Sequence, residues 1–321
     1  MKKIAVFLCV LFLAFLSVNA SYAGPGCKDL TGEIGVDGVT KYIDSGGITN
    51  RSYILYVPTG LNKNKPTPLV FDFHGYKMGA AYHYNYSQMW LVAEKYKFIL
   101  VTPLGTTNLP YELGFGWNGG ACCYPATGDP ETPFGDGHDL LTPVDDVGFV
   151  SDMIDEIMID YCIDPKRIFA AGFSNGGGMS IRLACELSVV SDHRIAAIAA
   201  VASAGTAIPA CLSAPPFPII AFKGTADSSY EAALYNIDLA RQHNGCSDKT
   251  KIYFQEGDVT CKIYKGCHQN AKVAFCEIQD GGHNWPGADE QWWSGYTTED
   301  IDASTAIWKF FAKHSIPDEG D

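Results

Sequence analysis

Arg167-Ile168-Phe169-Ala170-Ala171-Gly172-Phe173-Ser174-Asn175-Gly176-Gly177-Gly178-Met179 places a serine among glycines where an apolar run gives way to small residues. A serine hydroxyl is a weak nucleophile at neutral pH. A chain that uses one lifts it on a strained strand-to-helix turn, where flanking glycines avoid Cβ clashes and a base can reach the oxygen. Gly172 to Gly176 reads as such a nucleophile elbow. A plainer reading, a glycine-rich helix entry that only packs closely, competes with it. Context decides between them: a strand before the serine, a helix after it, then an acid and a histidine in that order.

All of that context is present. Arg167 to Ala171 follows the turn signal Asp164-Pro165 and suits a buried strand, and Met179, Ile181, Leu183 and Ala184 continue at helical spacings without proline. Downstream, the apolar run Pro218 to Phe222 enters Lys223-Gly224-Thr225-Ala226-Asp227, and an aspartate just past a strand's carboxyl end points into the crevice of an open α/β sheet. Val273 to Ile278 then leads to Gly281-Gly282-His283-Asn284-Trp285-Pro286-Gly287. In roles, His283 takes the Ser174 proton and returns it to the leaving alcohol, while Asp227 fixes the tautomer. The oxyanion needs two donors. One is the N–H of Asn175, after the nucleophile; the other comes from the loop after the apolar strand Pro68 to Phe73, where Tyr76 is the expected donor and Gly75 the near alternative.

Each assignment has a rival. Asp227 could cap a helix that starts near Ser228 to Glu231. Asp145 and Asp146 are competing acids, but they precede the serine and read as first-turn carboxylates of a helix carrying Val147, Val150, Ile154, Ile157 and Tyr161 on one face. Of the eight histidines, His74 belongs to the oxyanion strand and the others lack the surroundings of His283.

With these residues in view, the chain resembles secreted esterases of the feruloyl esterase and polyhydroxybutyrate depolymerase type, within the carbohydrate esterase family one group of α/β-hydrolases. The likeness runs from about Ser52 to Phe311. It rests on Phe73-His74-Gly75, Gly116-Trp117-Asn118 followed by Cys122-Cys123, Val144 to Phe149, Ile163-Asp164-Pro165 through the elbow, Gly224 to Asp227, and Gly282 to Gly287. The resemblance implies the same roles for Ser174, Asp227 and His283. One departure stands out: relatives usually carry histidine before Gly224, where this chain has Lys223.

Length and composition suit one domain. A chain of 321 residues, 47% apolar, can bury a full α/β core. Strands are expected near Ser52 to Val57, Leu69 to His74, Phe98 to Pro103, Arg167 to Ala171, Ile195 to Ala202, Pro218 to Phe222, Lys251 to Gln255 and Lys272 to Gln279. Helices are expected over Ser87 to Tyr96, Asp146 to Tyr161, Asn175 to Cys185, Tyr230 to His243 and Ala303 to His314. That alternation specifies a mostly parallel sheet with helices on both faces, the first strands pairing antiparallel.

Lys2 and Lys3, the apolar stretch Ile4 to Val18 and Ser21-Tyr22-Ala23 read as a signal peptide over 1–23, with a single catalytic domain over 24–321. Losing those two lysines takes the net charge from −13 to −15. Such acidity disfavours nucleic acid and anionic membrane surfaces as partners. Of 11 cysteines, Cys9 lies in the signal, and the even remainder suits disulfides in an exported chain. Cys246–Cys267, Cys261–Cys276, Cys185–Cys211 and Cys27–Cys162 are plausible links, and Cys122-Cys123 is either a vicinal pair or two half-links. No zinc-like Cys or His spacing is present, and no metal or cofactor is expected.

The expected partner is therefore an ester substrate. Trp117 and Trp285 are the candidate substrate-binding residues, within loops that also carry Tyr111, Phe115, Phe134, Trp292 and Trp293. Aromatics of this kind grip a phenolic acid or sugar ring, although tryptophans also pack ordinary cores. The reading is a secreted serine esterase acting on plant polysaccharide esters, feruloylated xylan for example, with polyhydroxybutyrate cleavage as the close rival. Acetylxylan esterase, acyltransferase and non-catalytic carbohydrate-binding readings are further alternatives.

Overall fold

The computed structural model describes Cys27 and residues 30–107, 115–119, 144–204, 211, 213–292 and 294–317. The expected signal peptide and Cys122-Cys123 lie outside the described residues. In chain order the elements are β1 (Val36–Ser45), β2 (Ile48–Val57), β3 (Thr67–Phe73), α1 (Ala80–Ser87), α2 (Met89–Tyr96), β4 (Ile99–Pro103), β5 (Thr106–Thr107), β6 (Phe115–Gly116), α3 (Asp146–Asp160) and β7 (Ile163–Phe173). They continue with α4 (Asn175–Val190), β8 (Ala197–Val201), β9 (Ile219–Gly224), α5 (Tyr230–His243), β10 (Thr250–Glu256), β11 (Val259–Tyr264), β12 (Val273–Ile278) and α6 (Ala303–Phe311).

Ten strands form one sheet in the order β1-β2-β4-β3-β7-β8-β9-β12-β11-β10. Its centre, from β4 to β12, is parallel, and antiparallel strands close both edges. β3, β4, β8 and β9 are buried along their whole length, which is why they read as continuous apolar runs rather than alternating ones. Alternation survives in which face each residue serves. Leu69, Phe71, Ile168, Ala170 and Ile198 join α3, α4 and α5 in one core, whereas Val70, Phe169, Ala171, Phe173 and Val201 join α1, α2 and α6 in the other. This is the doubly covered α/β sheet expected from the sequence.

The departures are at the edges. β1 and β11 were not expected: β1 is largely exposed, so its residues alternate weakly, and it pairs with β2 across Gly46-Gly47, both at positive φ. β11 is short and pairs with β10 and β12, three strands where two were expected. The expected helix Ser87 to Tyr96 is present as α2, and a further, unexpected helix, α1, precedes it across Gln88 at φ 50°. Cys27–Cys162, Cys185–Cys211, Cys246–Cys267 and Cys261–Cys276 are disulfide-bonded as expected, the last pair linking facing positions of β11 and β12.

Asp145 and Asp146 do structural work, as expected. The Asp145 side chain caps α3, accepting from the Gly148 N–H at 2.7 Å. Asp146 is fully buried, accepts from Arg51 Nη2 at 2.5 Å and from the Asn118 N–H at 2.7 Å, and so ties β2 and the loop after β6 to the start of α3. The Arg51 guanidinium also lies 3.6 Å from the centre of the Phe149 ring. Breaking one partner of a buried pair strands the other charge. Asp146→Ala is expected to cost about 3–5 kcal/mol in urea unfolding, and adding Arg51→Met to recover part of that loss.

Candidate active site

Three parallel strands of the sheet centre, β7, β9 and β12, with β8 between the first two, each deliver one of the expected site residues past the carboxyl end. Ser174 follows β7, Asp227 lies three residues past β9, and His283 follows β12. The placement is that of ligand crevices in open α/β sheets.

The elbow is built by close approach. Ser174 has φ 52° and ψ −115°, a conformation that non-glycine residues rarely adopt. Its N–H donates to Val201 O at 2.8 Å, and its carbonyl accepts from the Gly177 N–H at 3.0 Å, so β8 and the first turn of α4 hold the strained residue. A Cβ on Gly172 would overlap Gly176 O, and one on Gly176 would overlap Phe73 O and His74 O. Only glycine permits α4 to start this close to β3 and β7.

Asp227 and His283 meet directly. His283 Nδ1 lies 2.7 Å from Asp227 Oδ2, so Nδ1–H donates to the carboxylate and the Nε2 lone pair is left to act as a base. The other carboxylate oxygen, Oδ1, accepts from Ser229 N at 2.9 Å and Ser229 Oγ at 2.8 Å. Asp227 thus also shapes the turn before α5, whose Tyr230 N–H donates to its carbonyl at 2.9 Å, but the N-cap position is Ser229 and the Asp227 side chain does not cap the helix. A Cβ on Gly224 would overlap Gly281 O, and that contact brings the acid and histidine loops together. The His283 ring stands edge-on to Phe173, 5.2 Å between centroids, against the residue that precedes the serine.

Lys223 was read from the sequence only as a departure. Its ammonium is buried, 1% exposed, and lies 2.6 Å from Asp227 Oδ2, the same oxygen that His283 uses. Burial pushes the Lys223 ammonium below the ordinary lysine value, opposed by Asp227. Burial would by itself raise the Asp227 carboxyl, but the hydrogen bonds and charges of His283 and Lys223 overcome it and hold the group well below the usual carboxylate range.

The expected oxyanion residues occupy adjoining segments. Asn175 opens α4, and its side chain clamps Trp117 from both sides, accepting from Trp117 N at 2.7 Å and donating to Trp117 O at 3.1 Å. Gly75 N–H donates to Met78 Sδ at 3.2 Å, which spends the alternative donor, and Tyr76 sits between Gly75 and Lys77, whose N–H bonds Phe115 O. His74 fixes this turn. Burial pushes it down to about 3; it accepts from the Gly105 N–H on Nε2 at 2.9 Å and donates from Nδ1 to Gly75 O at 2.7 Å. The neutral tautomer is therefore set by its neighbours.

Trp117 and Trp285, expected to bind substrate, are buried at 0% and 1% exposure. This corrects their reading, because neither indole presents a face to a ligand. Trp117 Nε1 donates to His74 O at 3.0 Å. Trp285 N donates to Tyr86 OH at 2.8 Å and Nε1 to Ser304 Oγ at 3.1 Å, and Ser304 in turn bonds Ser87 O at 2.5 Å. Ser87 Oγ donates to buried Asp72, which also meets His83 Nε2 at 2.9 Å. A polar line thus runs from β3 through α1 to the His283 loop, and sequence reasoning missed it because isolated Asp, His and Ser residues have no local signature. The half-buried aromatics near the site are instead Tyr82 and Trp292, 4.8 Å apart, with Tyr82 continuing through Tyr86 to Phe173.

No family model matches the chain. Feruloyl esterase B of Piromyces equi is 30% identical over 250 residues, 73% of this chain and 42% of that protein, so the chain spans less than half of that relative's length. Feruloyl esterase D of Neurospora crassa is 24% identical over 97% of this chain and 98% of that protein. Among solved structures, acetyl xylan esterase from Aspergillus awamori shares the fold, with a TM-score of 0.56 at 15% identity over 86% of this chain and 99% of that one. Sheet, elbow and neighbouring strand ends define the class, an α/β-hydrolase. Within that class the chain is similar to the feruloyl esterases that its motifs resemble.

The strain at Ser174 can be measured apart from chemistry. Ser174→Gly relieves the positive φ and Ser174→Ala does not, so the glycine variant is expected to be the more stable of the two by roughly 1 kcal/mol in calorimetry, net of the greater chain entropy glycine loses on folding.

Proposed function

We propose that this chain is a serine carboxylic-ester hydrolase that removes acyl groups of the feruloyl type from plant polysaccharides. The observation that carries the reading is the His283–Asp227 contact of 2.7 Å beside a serine held at φ 52°. With Nδ1–H committed to Asp227, Nε2 takes the Ser174 proton as the oxygen attacks the ester carbonyl. The Asn175 and Tyr76 N–H groups receive the oxyanion. Collapse of the tetrahedral intermediate breaks the bond to the alcohol, which leaves with the proton from Nε2. Water then attacks the acyl-serine by the same route, gives its proton to Nε2, and the acid is released as Ser174 recovers its own.

The names of the relatives, feruloyl and acetylxylan esterases, favour polysaccharide-linked acyl esters over polyester chains. Tyr82 and Trp292 offer the aromatic surface for the acyl ring that Trp117 and Trp285 do not. Four disulfides among the described residues favour export into an oxidising compartment, and no helix among those residues is long and apolar enough to cross a membrane.

Wild type and Ser174→Ala are to be assayed on methyl ferulate, acetylated xylan, para-nitrophenyl butyrate and hydroxybutyrate oligomers. Turnover of methyl ferulate by wild type, lost by at least ~10³-fold in the variant, is expected. Product formed only with an added acceptor alcohol points to transfer, and binding without turnover in both proteins points to a carbohydrate-binding role. Because Asp227 stays ionised far below the usual carboxylate range, a single group governs the acid side. The logarithm of kcat/KM is expected to fall with unit slope as pH drops, as protonation removes the His283 base; a slope of two contradicts this.

A further inference from the structure

Lys223 belongs to no step of the mechanism above, yet it occupies the acid's surroundings more fully than the histidine does. It lies on β9 inside an otherwise apolar run, Ile219 to Phe222, with its ammonium sealed from solvent. A lysine ammonium has three donors and no acceptor. Here Nζ has three acceptors: Asp227 Oδ2 at 2.6 Å, Ser229 Oγ at 2.7 Å and Ala202 O at 3.0 Å. That set matches the charged form, since a neutral amine could donate only two. Ser229 passes the contact on, because its hydroxyl donates to Asp227 Oδ1.

We infer that Lys223 is a positioning residue for the hydrolytic site, a buried cation that clamps the Asp227 carboxylate and keeps His283 in its basic form at acid pH. The inference rests on the reading of Ser174, His283 and Asp227 as the catalytic residues. Two consequences follow from Oδ2 being shared by Lys223 and His283. The carboxylate is oriented from Lys223 and Ser229 even when the imidazole turns away. The imidazole also faces a lysine–aspartate pair of zero net charge instead of a lone anion. Adding a proton to His283 is then less favourable, and the rate persists further into acid. The same balance stabilises the imidazolium less in the transition state, so acid tolerance comes with some loss of maximal rate.

Among the described residues, no other charged group acts on Asp227. On the β9 and α5 side, the groups acting on Asp227 are His283 and Lys223. Tyr296 lines the cleft beside Lys223 and the histidine loop as a phenol. On the α1 side, His83 faces Trp285 and is paired with Asp72, away from the acid.

The test compares pH profiles of kcat/KM for wild type, Lys223→Met, Lys223→Gln and Lys223→Arg on an activated ester, with Ser174→Ala as the reference for lost chemistry. Removing the cation is expected to move the acid limb up by about one pH unit with KM on the plateau unchanged, and the arginine variant is expected to stay near wild type. A merely structural lysine would lower kcat at every pH and leave the limb where it is; that result overturns the inference. Should the single variants fail to fold, a second cycle decides. Asp227→Asn leaves Lys223 buried without its carboxylate and is expected to lower Tm, and adding Lys223→Met is expected to raise Tm again. Additive losses in that cycle also overturn the clamp. Retained turnover in Ser174→Ala would instead refute the catalytic reading, while the Tm cycle would still report on the ion pair.

Discussion

The Asp227 carboxylate accepts from Lys223, His283, the Ser229 hydroxyl and the Ser229 N–H; Lys223 and Ser229 flank it on the β9–α5 segment, and His283 comes from the distant loop after β12. A carboxylate has about four lone-pair directions, so the group is saturated. Saturation matters because the site is assembled on loops, and a loop holds a side chain still only if its polar partners leave no alternative geometry. The cost of burying the anion is offset by one full positive charge and three further donors. The same saturation explains why Asp227 can shape the turn before α5 and orient His283 at once: its two oxygens serve different tasks.

What lets those loops converge is the sheet. β7, β8, β9 and β12 run parallel and adjacent, so their carboxyl ends open on one edge. Parallel strands buried on both faces cannot shift register without moving every side chain between the two cores. The positions of Ser174, Asp227 and His283 along that edge are therefore fixed by packing tens of ångströms of apolar surface, while their orientation is fixed by a handful of hydrogen bonds. Glycines at 172, 176 and 224 connect the two scales, since each stands where backbone must touch backbone.

The reading from sequence succeeded where a local pattern carries the structure. The elbow, the runs Leu69 to His74 and Pro218 to Phe222, and the amphipathic spacing of α3 are set by residues adjacent in the chain. It failed where partners are distant. Trp117 and Trp285 look alike as exposed or buried residues until His74 O and Ser304 Oγ are placed beside their indole nitrogens. α1 was missed because the break at Gln88, φ 50°, that sets it apart from α2 has no glycine or proline to announce it. Lys223 was noticed because it departs from the pattern of relatives, yet its contact with Asp227 depends on how β9 turns into the acid loop. Asp72, His83 and Ser87 form a buried Asp-His-Ser set without any spacing that announces it, and, fully enclosed, it braces the histidine loop rather than reacting.

Buried ionic groups in this chain follow one rule despite the net charge of −13. Arg51 meets Asp146, Lys223 and His283 share Asp227, and His83 lies against Asp72, so each buried carboxylate has a partner. His74 answers burial by remaining neutral, with a donor on one side and an acceptor on the other, and burial likewise pushes His314 down to about 4. The acidic surplus is thus a surface property, screened by salt within about 10 Å, whereas the pairs inside are shielded from ions and keep their strength. Arg51–Asp146 and Asp72–His83 each join a strand to a helix, whereas the Lys223–Asp227 pair and His74 hold the loops that follow β9 and β3. Polar matching in those loops takes over the task that apolar packing performs in the two cores.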